Sequence, residues 1–110
     1  MSADARIGAL RTRLKLEAPE HSHDGGGGSV VSWTEVGEVW ADVRATGGGE
    51  TYDADRVAGR VSHTIIIRYR TGVVPEMRFC AATRVFNIRA VLDPDNRRRW
   101  LRCLTEEQDL

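Results

Sequence analysis

Residues 61–95 carry the clearest pattern in the chain: three short runs of alternating apolar and polar side chains, separated by turn residues. In residues 63–69, His63, Ile65, Ile67 and Tyr69 fall on one face and Thr64, Ile66 and Arg68 on the other. A period of two marks a strand with one buried face. Gly72 suits the turn that follows, because glycine takes positive φ without steric cost. Pro75 can start a strand but not sit inside one, so the next strand is short, residues 77–81. Ala82 and Thr83 make a tight hairpin turn without the usual Asn-Gly pair. Residues 84–92 then alternate, with Phe86, Ile88, Ala90 and Leu92 inward and Asn87 and Arg89 outward. Asp93-Pro94-Asp95-Asn96 is a strong stop.

The same reading predicts three more strands. In residues 10–18, Leu14 and Leu16 point inward and Arg11, Arg13, Lys15 and Glu17 outward, a charged row that suits an edge strand. Residues 30–44 form a long second strand whose alternation breaks between Val36 and Val39, which predicts a bulge or bend near Gly37. Residues 98–105 form the last strand, with Trp100, Arg102 and Leu104 on one face and Leu101 and Cys103 on the other. Residues 1–9 read as an N-terminal arm, residues 19–29 as a glycine-rich loop and residues 106–110 as a polar tail. Residues 45–60 read as a long connection in which Gly47, Gly48 and Gly49 form a hinge and residues 50–58 a short helix closed by Gly59. The expected fold is therefore all-β: one domain over residues 1–110, a small antiparallel barrel or sandwich of five to six strands, with long loops and one short helix between strands two and three.

Composition narrows the function classes. Sixteen basic residues balance sixteen acidic ones, which argues against a dedicated DNA-binding protein. No apolar run is long enough to span a membrane, so no membrane partner is expected, and the first residues lack a signal-peptide pattern. Cys80 and Cys103 form no C-x-x-C pair and read as buried small hydrophobes. His21, His23 and Asp24 lie together, but two histidines on a loop make a weak metal site, and none is expected. The four glycines at 25–28 lack the Lys-Ser/Thr and helix of a phosphate loop. No nucleophile context and no strong carboxylate pair is present, and His63 lies on an inward strand face. No enzyme activity and no cofactor is expected.

An ordered set of pieces carries a family resemblance. Ile67-Arg-Tyr-Arg, a glycine turn and Pro75-Glu-Met-Arg are followed by Arg84-Val-Phe-Asn-Ile-Arg-Ala-Val-Leu-Asp-Pro-Asp and the basic cluster Arg97-Arg98-Arg99. Together they resemble the head–tail joining proteins of tailed bacteriophages, also called head-closure or stopper proteins, and their counterparts in gene transfer particles. Leu10-Arg-Thr-Arg-Leu and the stretch from Val31 to Arg44 extend the similarity to roughly residues 9–105.

The resemblance implies a ring of six or twelve copies in the neck of a phage or phage-like particle, assembled in the host cytoplasm. Such a ring meets the portal or adaptor protein above and a tail terminator or tail tube protein below. It retains packaged DNA, docks the tail, and touches double-stranded DNA transiently and without sequence preference. The connection would face or gate the channel, through Gly47, Gly48, Gly49, Glu50, Tyr52, Asp53, Asp55 and Arg56. The glycine-rich loop, with His21, His23, Asp24, Gly25 and Gly28, is a candidate interface. Arg97, Arg98 and Arg99 are candidate contacts for phosphate or a partner. The alternatives are an adaptor or tail-terminator ring of the same neck, and a generic small β-barrel that binds nucleic acid.

Overall fold

A computed structural model describes residues 7–23, 25–46 and 61–108. Its elements are one turn of 3-10 helix at Ile7–Ala9 and six strands: β1 (Thr12–His23), β2 (Ser29–Ala45), β3 (His63–Arg68), β4 (Arg78–Ala81), β5 (Arg84–Leu92) and β6 (Trp100–Glu107). Every neighbouring pair is antiparallel, and one sheet closes on itself in the order β1-β2-β3-β6-β5-β4. The closing seam is short: β1 meets β4 only through Lys15–Cys80, Leu16–Phe79 and Glu17–Arg78. The expected all-β class holds. The expected short helix lies outside the described residues and is not borne out; the single helical turn among those described is at Ile7–Ala9.

The barrel interior is the hydrophobic core. Leu14, Leu16, Ala41, Ile65, Ile67, Phe79, Phe86, Ile88 and Cys103 are all but inaccessible and form one cluster with Val73, Met77 and Leu101. Burying a large apolar side chain contributes about 1.5–3 kcal/mol, so this cluster dominates the favourable side of folding. β3 is buried on both faces. Ile65 and Ile67 point inward, while Thr64 and Ile66, on the outer face, are also buried between Arg44 and Asp42 of β2 and Leu104 and Arg102 of β6. One buried face was expected there; β3 has two.

Two bulges set which side chains face in. On β2, Leu16 pairs with Gly37 but Glu17 pairs with Glu35, so Val36 is the extra residue, beside Gly37 as the broken alternation predicts. Val39 then packs against the core while Trp40 stands half exposed. On β5, Ile88 pairs with Thr105 and Ala90 with Leu104, which leaves Arg89 extra. The expected inward row therefore fails past Ile88. Val91 packs against the core and Leu92 faces out, because one inserted residue flips every following side chain.

The largest departure concerns residues 19–29. They are not a loop: β1 runs on to His23, pairing residue by residue with β2 from Pro19–Trp33 to His23–Ser29. The described residues between the two strands are only Gly25–Gly28, with Gly25 at φ 86° and Gly27 at φ 91°, values that suit glycine. Cross-strand pairing overrides the weak strand propensity of Pro, His and Ser here. Because β4 ends its pairing at Glu17 and β3 ends at Ala41, the hairpin beyond those residues projects as a two-stranded arm. At about 3.3 Å per residue the arm extends roughly 20 Å past Glu17. It accounts for a long molecule, 50 × 28 × 27 Å.

Candidate assembly surfaces

Three surfaces stand out. The first is the arm. Its tip exposes Val30 and Val31, while Trp33 and Pro19 are partly covered. Alternation puts Pro19, His21 and His23 on one face with Val31 and Trp33, and Glu20 and Ser22 on the other with Ser32 and Val30. His21 and His23 are thus exposed strand residues, not members of a glycine loop. Among the described residues no group of three His, Cys, Asp or Glu side chains is placed to hold a metal ion. Asp24 lies outside the described residues; Gly25 and Gly28 are in the exposed turn.

The arm is fixed to the barrel at its base. Arg78 of β4 donates from Nε to Glu17 Oε1 at 2.8 Å, and its guanidinium carbon lies 3.9 Å from the Trp33 ring centroid. The Cys80 thiol donates to the same Glu17 oxygen at 3.2 Å. Burial works against the Glu17 charge, yet the bonds from Arg78 and Cys80 and the nearby positive charges hold its carboxyl below its ordinary value. Burial, then Glu17 itself, pushes the Cys80 thiol up to about 11. Next to this cluster Arg13 lies over Trp40 at 4.9 Å and meets Glu38 at 3.8 Å. Sequence reading missed the Glu17–Arg78–Trp33 cluster. Its members sit far apart in the chain and meet only through the β2–β1–β4 register.

The second surface is the turn between β5 and β6. Asp95 Oδ1 accepts from the Arg97 amide, and Asp93 Oδ2 accepts from the Arg98 amide. Asp95 also binds the Arg99 guanidinium, which holds its carboxyl below the usual range. Asn96 and Arg98 both sit at φ 57°, a conformation that such capping bonds stabilise. Arg97 and Arg98 are exposed, and their side chains have no acidic partner among the described residues. Beside them Arg68, Tyr69, Arg98, Arg99 and Trp100 line an open depression of about 360 Å³. Of this group, only Arg98 and Arg99 were candidates from sequence. Arg68 and Trp100 join them because they are cross-strand partners.

The third surface is the foot of the connection. Gly47, Gly48, Gly49, Glu50, Tyr52, Asp53, Asp55 and Arg56 lie outside the described residues, but the flanks of the segment are defined. The Thr46 amide donates to the Ser62 carbonyl at 3.0 Å, and Thr46 Oγ1 donates to the Val61 carbonyl at 3.0 Å. Ser62 Oγ accepts from the Glu107 amide at 2.7 Å and contacts His63 Nδ1 at 2.9 Å. His63 meets Phe86 edge-on at 5.1 Å, and burial lowers its pKa. These bonds tie both flanks of the connection together at the end of β2 opposite the arm. The candidate loops are therefore not one site; they lie at the two ends of a 17-residue strand.

Comparison with known proteins decides what such a molecule is. The profile of the phage head completion proteins matches residues 5–108. The chain belongs to the phage head completion protein family. This is a family of structural virion proteins, components of phage or phage-like particles. Among solved structures, this head completion protein is similar to a chain of the virion of a native gene transfer agent particle. The two are 33% identical, with 90% of this chain and 96% of that one covered and a TM-score of 0.68. It is also similar to a protein of Shigella flexneri 2a known from a solution structure. There the identity is 27%, the coverage 94% of this chain and 96% of that one, and the TM-score 0.70. A comparison with curated proteins gives no match.

Proposed function

We propose that the chain is the head-closure, or stopper, protein of its particle. Copies associate into a ring between the portal or adaptor protein and the tail. The ring retains packaged DNA and presents a docking face to the tail. The observation that carries this reading is the placement of two separate surfaces, the arm and the foot of the connection, at opposite ends of one barrel. A part that joins a head to a tail needs a face toward each. The arm is suited to docking because two strands without further neighbours are marginally stable alone and leave both edges open to a partner.

The connection, residues 45–60, is the segment we assign to the channel. It carries Glu50, Asp53 and Asp55 against Arg56 and Arg60. A weakly acidic lining repels phosphate, so DNA passes without sticking. Arg97 and Arg98 face a protein neighbour or passing phosphate. Adding the purified chain to heads that lack it tests the reading. The added chain is expected to protect the packaged DNA from nuclease and to let tails attach. Heads that join tails equally well without it would refute it.

A further inference from the structure

The chain is neutral as a whole, but its basic residues are not spread evenly. Four of the six residues from Arg97 to Arg102 are arginine. The strand register sets this cluster beside two tryptophans. Arg13 pairs with Trp40, and Arg68 pairs with Trp100. Ala41 pairs with Ile67, so Trp40 and Arg68, one step beyond, stand at the same level of β2 and β3. Ala41 and Ile67 are fully buried, so Trp40 and Arg68 face out. The result is one row across the outside of four neighbouring strands: Arg13, Trp40, Arg68, Trp100. With strands about 4.8 Å apart, the row covers about 14 Å.

Arg98 extends the row at its Trp100 end, where it lines the same depression as Arg68 and Trp100. The acidic groups nearby are engaged. Glu38 meets Arg13, Asp42 meets Arg44, Asp95 meets Arg99, and Asp93 accepts from the Arg98 amide. The side chains of Arg68 and Arg98 are exposed and have no acidic partner among the described residues. Trp40 is 51% exposed, and Arg13 lies 4.9 Å from its ring centroid. Cations alternating with aromatic rings along a line are what a nucleic-acid strand requires. A guanidinium binds phosphate oxygens through two parallel bonds, and every base has a face on which an indole can stack. An isolated carboxylate uses one arginine; a polyanion uses a row.

We propose that Arg68 and Arg98, flanked by Trp40 and Trp100, bind a DNA strand, with the arginines on its phosphates and the indoles stacked on bases wherever these are unpaired. This deepens the head-closure reading and rests on it for DNA as the polyanion within reach. It gives the ring a hold on DNA that is separate from the acidic connection.

The test is fluorescence anisotropy of the full chain with a labelled single strand of about twelve nucleotides, and with the matching duplex, from about 20 to about 200 mM salt. Wild-type chain is expected to bind the single strand at low salt, with log affinity falling against log salt at a slope of about −1.4, the value for two phosphates. Arg68→Glu or Arg98→Glu is expected to weaken binding roughly tenfold and to flatten the slope. Trp40→Ala is expected to weaken it roughly fivefold or more with the slope unchanged. Arg89→Glu makes the same charge change on β5, away from the row, and is expected to leave affinity within about threefold. All four positions are exposed, and circular dichroism confirms that each variant is folded. Duplex binding that falls in Arg68→Glu but not in Trp40→Ala supports the phosphate contacts and assigns them to paired DNA; dependence on Trp40 assigns the site to an unpaired end. No binding of either DNA at low salt overturns the site and leaves head closure standing, since the joining of heads to tails tests that separately. An equal loss in Arg89→Glu shows that binding follows net charge alone and overturns the site. A polyglutamate peptide that binds more tightly than DNA, and loses that binding in Arg68→Glu, assigns the row to a protein neighbour and overturns it too.

Discussion

Arg78 holds Trp33 and Glu17 at once: its guanidinium carbon lies 3.9 Å from the indole ring centroid and its Nε donates to the carboxylate at 2.8 Å. This places one residue of the barrel seam against both strands of the arm. A cation over an indole contributes about 0.5–2 kcal/mol, and a charge-assisted hydrogen bond about 1.5–3. Arg78→Ala is therefore expected to loosen the arm before the barrel. Hydrogen exchange of the amides of residues 18–23 and 29–34 should speed up by tenfold or more, while β3 and β6 keep their protection. Equal acceleration in all strands would mean that Arg78 supports the barrel as a whole.

The same cluster makes a prediction about acid. The Glu17 carboxyl titrates below its ordinary 4.5 in the folded chain. A depressed carboxyl contributes stability that is complete above the unfolded value and is lost as pH falls through the folded one. Wild-type stability is expected to decline as the pH drops below about 4.5, and Glu17→Gln to have a shallower decline with a lower plateau at neutral pH. Urea midpoints measured across this range check it; parallel curves for the two proteins would contradict it.

Burial raises the Cys103 thiol to about 12 and, with the help of Glu17, the Cys80 thiol to about 11. Only the thiolate attacks, so both should react with a thiol reagent at pH 8 at least about a hundredfold more slowly than in urea. Rapid labelling of Cys80 in the native chain would show that the β1–β4 seam opens freely.

That seam also concentrates risk. Phe79 is fully buried and sits in the middle of the three pairs that join β4 to β1. Phe79→Ala should cost about 3–5 kcal/mol, and the exchange of the Leu16 and Cys80 amides should rise first. A loss under about 1 kcal/mol would mean that the core refills the space with ease.

Much of this was legible in the sequence, for reasons that individual residues make plain. β3 to β5 announce themselves because His63, Ile65 and Ile67 alternate with Thr64 and Arg68, and because Asp93-Pro94 stops the run. The Val36 bulge was legible because two residues, Gly37 and Glu38, separate Val36 from Val39 and no single strand phase fits both valines. The Arg89 bulge was not. Ala90 with Leu92, and Val91 alone, are equally apolar, so either phase reads as correct. The arm was hidden because Pro19, His21, His23 and four glycines have the composition of a loop, and only pairing with Val30 to Trp33 makes them a strand. The Arg78–Trp33–Glu17 cluster and the Arg68–Trp100 depression were hidden for a third reason. Pattern along one strand says nothing about which residue of another strand lies opposite.

The most direct test of the central claim is electron microscopy of particles from cells that lack this chain. The account predicts separate heads and tails, with heads that package DNA and then lose it. Complete tailed particles with full heads would contradict it.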